Sequence, residues 1–135
     1  MRVIIAGSRT FGPRREEVLT AIDAVRPAAI SEVVSGCAPG VDKIGEEWAA
    51  NHGIHVRRFP ADWDTNGKAA GPIRNREMAR YAEVLILVWD GTSHGSADMK
   101  RVAQKVGLRI CEKILEAPPV DPNAWRDLRK KARTK

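Results

Sequence analysis

The sequence of 135 residues has few aromatic side chains, few cysteines and no long apolar run, and each shortage disfavours a class of protein. Aromatic residues make up 5% of the chain, which disfavours the base-stacking platforms of single-strand-binding domains. The two cysteines, Cys37 and Cys111, provide neither a disulfide framework nor zinc-ligand spacing, so we expect a reducing, cytoplasmic setting without a metal. No apolar run approaches the roughly 20 residues that span a bilayer, and the N-terminus does not resemble a secretion signal, so no membrane partner is expected.

The positive charge of the chain is concentrated near its C-terminus. The formal net charge is +6, but residues 124–135 hold six basic side chains and one acidic side chain. The first 123 residues therefore carry a net charge of only +1. We predict a domain at 1–116 and a basic tail at 117–135. Two interpretations of the tail stay open: a solubilising terminus, or a weak, salt-dependent contact with nucleic acid.

Short β-branched runs alternate with helical patterns, which is typical of a three-layer α/β domain with a mostly parallel sheet of about five strands. Strands are predicted at 3–6, 32–35, 54–59, 84–89 and 108–114, and helices at 14–25, 41–52, 73–82 and 97–106. The strand at 84–89 is the most apolar and should be central. Residues 61–72 lack periodicity and are predicted to form a long loop, a kind of segment that is often functional.

Three predicted strands end in loops rich in small residues that lead into helices. These loops lie at 7–9, 36–40 and 91–96. Ligands of parallel α/β sheets bind outside the carboxyl ends of the strands, where glycines and helix N-termini offer free backbone N–H groups to anions. A single glycine turn is often purely structural, but three at one edge of the sheet favour a phosphate-binding site. The dinucleotide and Walker fingerprints are both missing from these loops.

The ordered set of motifs resembles the SLOG superfamily, most closely its small YspA-related branch in bacteria and phages. The matching segments lie at 6–9, 35–42, 59–63, 71–78 and 91–96. This superfamily includes the LOG phosphoribohydrolases and the DprA proteins. The resemblance implies a Rossmann-like sheet, a nucleotide or nucleotide-derived ligand and self-association into a homo-oligomer. The ligand-binding residues expected from loops and resemblance together are Gly7, Ser8, Arg9, Gly36, Cys37, Gly40, Asp42, Arg74, Asn75, Asp90, Gly91, Gly95 and Ser96.

The sequence departs from the LOG enzymes at the residues that the resemblance associates with hydrolysis. Arg74 matches the arginine of their Arg-Lys pair, whereas Asn75 replaces the lysine and Met99 stands at the position of their glutamate. A thioether transfers no proton, and the neighbouring Asp98 is rotated by about 100° around the helix. If this chain retains the hydrolytic activity of the LOG enzymes, Arg74 and Asp98 are the candidate catalytic residues.

Several candidate residues have a plain structural interpretation beside the functional one. Arg74 suits either a phosphate or an ion pair with Glu77, and Asp42 either a ribose hydroxyl or the dipole of its own helix. Asp90, at the end of the predicted central strand, likewise either contacts a ribose hydroxyl or has a purely structural role. Trp63 is expected either to cover the site or to pack beneath its loop.

The leading hypothesis is a binding or sensing domain for a nucleotide or nucleotide-derived ligand that needs no cofactor. A LOG-like hydrolase that cleaves the N-glycosidic bond of a nucleoside monophosphate is the alternative. A small nucleic-acid-binding protein that acts through its tail is the third.

Overall fold

A computed structural model describes residues 1–116 as a five-stranded sheet with helices on both faces. All strand pairs are parallel, and the strand order is β3-β2-β1-β4-β5. The strands are β1 (Arg2–Gly7), β2 (Glu32–Ser35), β3 (His55–Arg58), β4 (Val84–Trp89) and β5 (Arg109–Ile114). The helices are α1 (Arg15–Val25), α2 (Val41–Asn51), the short α3 (Trp63–Asn66), α4 (Ala70–Tyr81) and α5 (His94–Val106), with 3₁₀ turns at Arg9–Arg14 and Gly67–Ala69.

Side chains of the central strands alternate between two hydrophobic cores, one on each face of the sheet. Val3 and Ile5 of β1 pack with α1 and α2, around the buried Trp48. Ile4 and Ala6 of the same strand pack with α4 and α5. Every residue of β4 is buried, as a central parallel strand requires. The predicted three-layer α/β fold with a five-stranded parallel sheet is confirmed.

The strand order reverses between β1 and β4. The chain moves from β1 outward to β2 and β3, then returns across the sheet to place β4 on the other side of β1. The loops that follow β1 and β4 therefore leave the sheet toward opposite faces and open a crevice between them. This switch point is where open α/β sheets bind ligands, and the fold places it at Gly7 and Trp89.

Most element boundaries lie within one residue of the sequence prediction, but two segments differ by more, and both changes affect the crevice. Residues 61–72 are not a plain loop, because α3, a 3₁₀ turn and the first turn of α4 occupy them. Helix α5 begins at His94 rather than near 97, so Gly95 and Ser96 lie in its first turn. The predicted tail at 117–135 lies outside the described residues. Within the part of the chain that the structure describes, no helix is long and apolar enough to cross a bilayer.

The contact between α2 and β1 yields a stability prediction. A methyl group added at Gly45 would lie 2.6 Å from Cγ2 of the buried Ile5, so α2 must move to accept it. We expect Gly45→Ala to lower the free energy of unfolding in urea by about 1–3 kcal/mol, although alanine is the better helix former. A methyl group at Gly95 meets no heavy atom within 4 Å, so Gly95→Ala is the matched control and should lose nothing. Equal stability of the two variants would contradict the close packing of α2 on β1.

Candidate functional site

Ser8 joins the loops that follow β1 and β4. Its backbone N–H donates to the carbonyl of Val88 (3.2 Å), and its hydroxyl accepts a hydrogen bond from the N–H of Asp90 (3.2 Å). The side chain is buried, so these contacts hold the floor of the crevice rather than face a ligand. At Gly7 a Cβ would lie 1.7 Å from the oxygen of Val88, which excludes any other residue there.

The loop between β2 and α2 is shaped by unusual backbone angles. Gly40 has a φ of +79°, and a Cβ at that position would lie 2.4 Å from the carbonyl oxygen of Ser8. Cys37 has a φ of +64°, the sole positive value for a non-glycine residue among residues 1–116. Its N–H donates to the hydroxyl of Ser35 (3.1 Å). The loop thereby turns sharply and brings the start of α2 against the loop after β1.

The carboxyl group of Asp42 is buried where these loops meet. Its side chain is 5% exposed, and its Oδ2 accepts a hydrogen bond from the N–H of Ala38 (3.2 Å). Burial raises the pKa of Asp42 to about 6, while the N–H groups of Ala38 and Gly7 and the charges of Arg74 and Arg9 limit the rise. Near neutral pH the site therefore contains a carboxylate whose charge is easily neutralised.

Arg74 on α4 connects this carboxyl group to the cleft. Its Nη1 donates to the carbonyl of Gly36 (2.7 Å), and its Nε donates to Oδ1 of Asn75 (3.0 Å). Burial lowers the pKa of Arg74 and the neighbouring Asp42 opposes this, so the guanidinium stays charged. The alternative ion pair with Glu77 does not form.

A chain of hydrogen bonds continues from Arg74 to α5. Asn75, which is buried, donates through Nδ2 to Oδ2 of Asp98 (2.9 Å), and Asp98 also pairs with Arg101 one turn along the helix. The asparagine that replaces the LOG lysine thus ties α4 to α5. Asp98 faces the cleft, whereas the buried Met99 faces a smaller recess below it.

The cleft above this network has a volume of about 590 Å³, and a recess of about 40 Å³ lies beneath it. Arg74, Asn75 and Gly95 line both, so the two cavities meet at these residues. Trp63 forms part of the wall and is 48% exposed, and the guanidinium of Arg9 lies 5.7 Å from the centre of its ring. Of the two alternatives for Trp63, the position at the cleft is the one observed.

The N-terminus of α5 forms the opposite wall. The carboxylate of Asp90 accepts hydrogen bonds from the N–H groups of Thr92 and Ser93 (both 2.9 Å) and fixes the turn before the helix. These N–H groups lower the pKa of Asp90, which remains ionised. Gly95 and Ser96 follow in the first helical turn and line the cavities, where the positive end of the helix dipole favours anions.

The structure brings eight of the predicted site residues to the walls of the two cavities: Gly7, Arg9, Asp42, Arg74, Asn75, Gly95, Ser96 and Asp98. The others shape the neighbouring loops without lining the cavities: Ser8, Gly36, Cys37, Gly40, Asp90 and Gly91. Lining residues outside the predicted set include Gly71, Thr92 and Arg101. The sequence around Arg101 does not indicate a site residue, because Arg101 reaches the cleft only when α4 and α5 pack together.

The groups that line this cleft are of the kinds that bind anions in proteins. Three guanidinium groups, those of Arg9, Arg74 and Arg101, and a helix N-terminus surround a cleft with one aromatic wall. Among residues 1–116, no group of three histidine, cysteine, aspartate or glutamate side chains is arranged to hold a metal ion.

Comparisons with known proteins bear on the family and the fold of the chain. Residues 1–65 match the model of the family described as "YspA, cpYpsA-related SLOG family". The Gene 61 protein of Mycobacterium phage D29 is 35% identical over 116 residues, a match that covers 81% of this chain and 93% of that protein.

Two solved structures of DNA processing protein A (DprA) share the fold. The Streptococcus pneumoniae protein superposes with a TM-score of 0.68 at 17% identity, over 96% of this chain. This chain spans 56% of the length of that protein. The Helicobacter pylori protein, described as having a unique single-stranded DNA binding mode, gives a TM-score of 0.59 at 23% identity, over 98% of this chain and 73% of its own. At these identities the likeness shows the fold alone.

The raised pKa of Asp42 predicts how stability changes with pH. The folded state holds a proton between about pH 4 and pH 6 that the unfolded state releases, so stability from this group is lost as pH rises through 6. Between pH 5 and pH 7.5 the loss is about 1 kcal/mol. Asp42→Asn keeps an oxygen for the N–H of Ala38 and should remove this component in urea titrations at both pH values. Asp64→Asn, at an exposed acid, is the control, and an unchanged pH dependence in Asp42→Asn would contradict the burial of an ionisable group.

Proposed function

The chain belongs to the YspA-related SLOG family, and from the geometry of its cleft we propose that it binds a nucleotide or nucleotide-derived ligand. The phosphate lies between Arg74 and the first turn of α5, and the base lies toward Trp63. Arg9, above the tryptophan ring, adds a second positive charge on the same side.

The observation that carries this proposal is the way in which Arg74 is held. Two of its nitrogens are occupied by Gly36 and Asn75, which fix the plane of the guanidinium. Within residues 1–116 its Nη2 has no hydrogen-bond partner, and it lies 3.8 Å from the position of a Cβ at Gly71, a residue of the cleft wall. A fixed guanidinium with a free N–H edge toward a cleft is suited to a phosphate oxygen.

Ionisation of Asp42 supports the same ligand class. As a carboxylate it offsets one of the two arginine charges, and it accepts hydrogen bonds from a ribose hydroxyl. The two predicted roles of Asp42, helix-dipole partner and ribose contact, are therefore compatible at one position. We further propose that residues 1–116 act as the ligand-binding domain.

If the cleft binds a nucleotide, AMP, which we use as the probe ligand, should protect the protein against thermal unfolding. At 100 times the dissociation constant, AMP should add about 2.7 kcal/mol to the stability of the folded state and raise the melting temperature by several degrees. Arg74→Ala should lose most of this rise because the phosphate loses its fixed guanidinium. Arg109→Ala, at an exposed arginine of β5, should keep it.

A second variant separates loss of the site from loss of the fold. A Cβ at Gly95 would meet no heavy atom within 4 Å, and Gly95 lines the cleft, so we expect the side chain of Gly95→Leu to occupy part of the cavity. We expect its melting temperature to match the wild type without AMP and to rise less with AMP. Full protection of both Arg74→Ala and Gly95→Leu would place the ligand elsewhere.

The hydrolase alternative is favoured by one observation, the position of Asp98 in the same cleft as Arg74. Its two carboxylate oxygens already accept hydrogen bonds, however, Oδ2 from Asn75 and Oδ1 from Arg101, so the side chain serves to join α4 to α5.

Binding without turnover predicts no free base from AMP, GMP, CMP or UMP above a buffer blank, measured by chromatography. Release of base by the wild type that falls at least about 100-fold in Asp98→Asn would contradict this expectation and assign hydrolysis to the Arg74–Asp98 pair.

A further inference from the structure

A second concave surface lies between α4 and α5, beside the cleft. This groove has a volume of about 470 Å³. Its lining consists of four basic residues and two valines: Arg76, Arg80, Arg101, Lys105, Val102 and Val106. Each helix contributes two of the cations at a spacing of four residues, so the groove has two facing rows of positive charge about 6 Å apart along each axis.

Most cations of this groove lack an acidic partner. Several basic side chains elsewhere on the surface stand beside acids, as in the pairs Arg15–Glu47, Arg58–Glu46 and Lys100–Glu112, whereas others, such as Arg57 and Arg109, also have no ion pair with residues 1–116. In the groove, Arg76, Arg80 and Lys105 have no ion pair with any of residues 1–116, and only Arg101 has one, with Asp98. Like charges four residues apart on a helix repel each other, so this arrangement lowers stability unless an anion occupies it.

The groove and the cleft meet at Arg101. This side chain lines both cavities, and its partner Asp98 lies on the cleft side. Positively charged side chains therefore form a continuous path. It runs from Arg9 and Arg74 in the cleft, past Arg101, to the far end of the groove. A mononucleotide fills only the first part of this path.

We propose that the α4–α5 groove is a second anion subsite and that the ligand of the whole path is a single-stranded nucleic acid. One nucleotide lies in the cleft, and the phosphates that follow lie along the groove. This inference rests on the proposed function, because it takes the cleft to be a nucleotide site.

The observations favour nucleic acid over other polyanions. Three of the four cations are arginines, whose planar guanidinium groups bind phosphate oxygens bidentately. The repeated spacing of the charges suits a repeating anion, and a polynucleotide is the polyanion that also supplies a nucleotide to the cleft. A second copy of the chain would bring like charges together at this surface.

The test uses the full chain, a labelled oligothymidylate of about a dozen nucleotides and fluorescence anisotropy at several salt concentrations. The variant Arg76→Gln/Arg80→Gln removes two groove cations at exposed helix positions and leaves the cleft intact. The matched control, Arg109→Gln/Lys113→Gln, removes the same charge from β5. AMP protection of each variant is measured in parallel. The basic tail is present throughout, so its contribution cancels.

We expect the groove variant to bind the oligonucleotide about tenfold more weakly than the control, at about 0.1 M salt. Its slope of log affinity against log salt concentration should be smaller by about 1.4, which corresponds to two phosphate contacts. Its protection by AMP should be unchanged.

Three results would overturn the groove proposal. One is equal affinity and slope for the groove variant and the control. Another is competition by polyglutamate of the same charge as effectively as by unlabelled oligothymidylate, which would assign the groove to an acidic protein. The last is AMP protection without any oligonucleotide binding, which leaves the proposed function standing and the groove proposal wrong. Oligonucleotide binding through the groove with no AMP protection in the wild type would instead remove the nucleotide site and, with it, the inferred path.

Discussion

The site depends on the burial of Asp42 beneath the guanidinium of Arg74. Two backbone N–H groups and two arginines surround this carboxyl group, and burial still raises its pKa to about 6. The neighbouring backbone must come close to accommodate the pair. At Gly36 a Cβ would lie 2.8 Å from Oδ2 of Asp42 and 3.0 Å from Nη1 of Arg74. Asp42 and Arg74 each bond the loop after β2, through the N–H of Ala38 and the carbonyl of Gly36, so the two side chains fasten α2 and α4 to the same loop and the cleft lies beside it.

This arrangement changes the meaning of the net charge. The excess of +6 lies mostly near the C-terminus, yet the positive groups that face the cleft are few and individually positioned: Arg9, Arg74, Arg101 and the first turn of α5. Asp42 adjusts their combined charge, since its protonation below about pH 6 removes a negative charge that lies near Arg74 and Arg9.

The sequence alone predicts the sheet well and the site only in part. The bounds of β2 and β4 match the prediction because compact runs of valine, isoleucine and leucine between polar turns indicate parallel strands. The predicted start of α5 is about three residues too late. The helix begins at His94 because the turn before it is fixed by Asp90, whose carboxylate accepts hydrogen bonds from the N–H groups two and three residues further along the chain. The helical turns at 63–69 have too little apolar periodicity to be recognised. The position of Arg101 and the existence of the groove could not be predicted, because both depend on the contact between α4 and α5, two segments about 25 residues apart in the sequence. The roles of the predicted site residues remain predictions.

The central claim is that a phosphate lies between Arg74 and the N-terminus of α5. Titration of ¹⁵N-labelled protein with AMP tests it most directly, because the amide signals of Gly95 and Ser96 and the Nε signal of Arg74 report on that position. The account predicts that these signals shift together, saturate at one dissociation constant and stay fixed with adenosine, which lacks the phosphate. Shifts confined to residues outside the cleft, or equal shifts with adenosine, would contradict it.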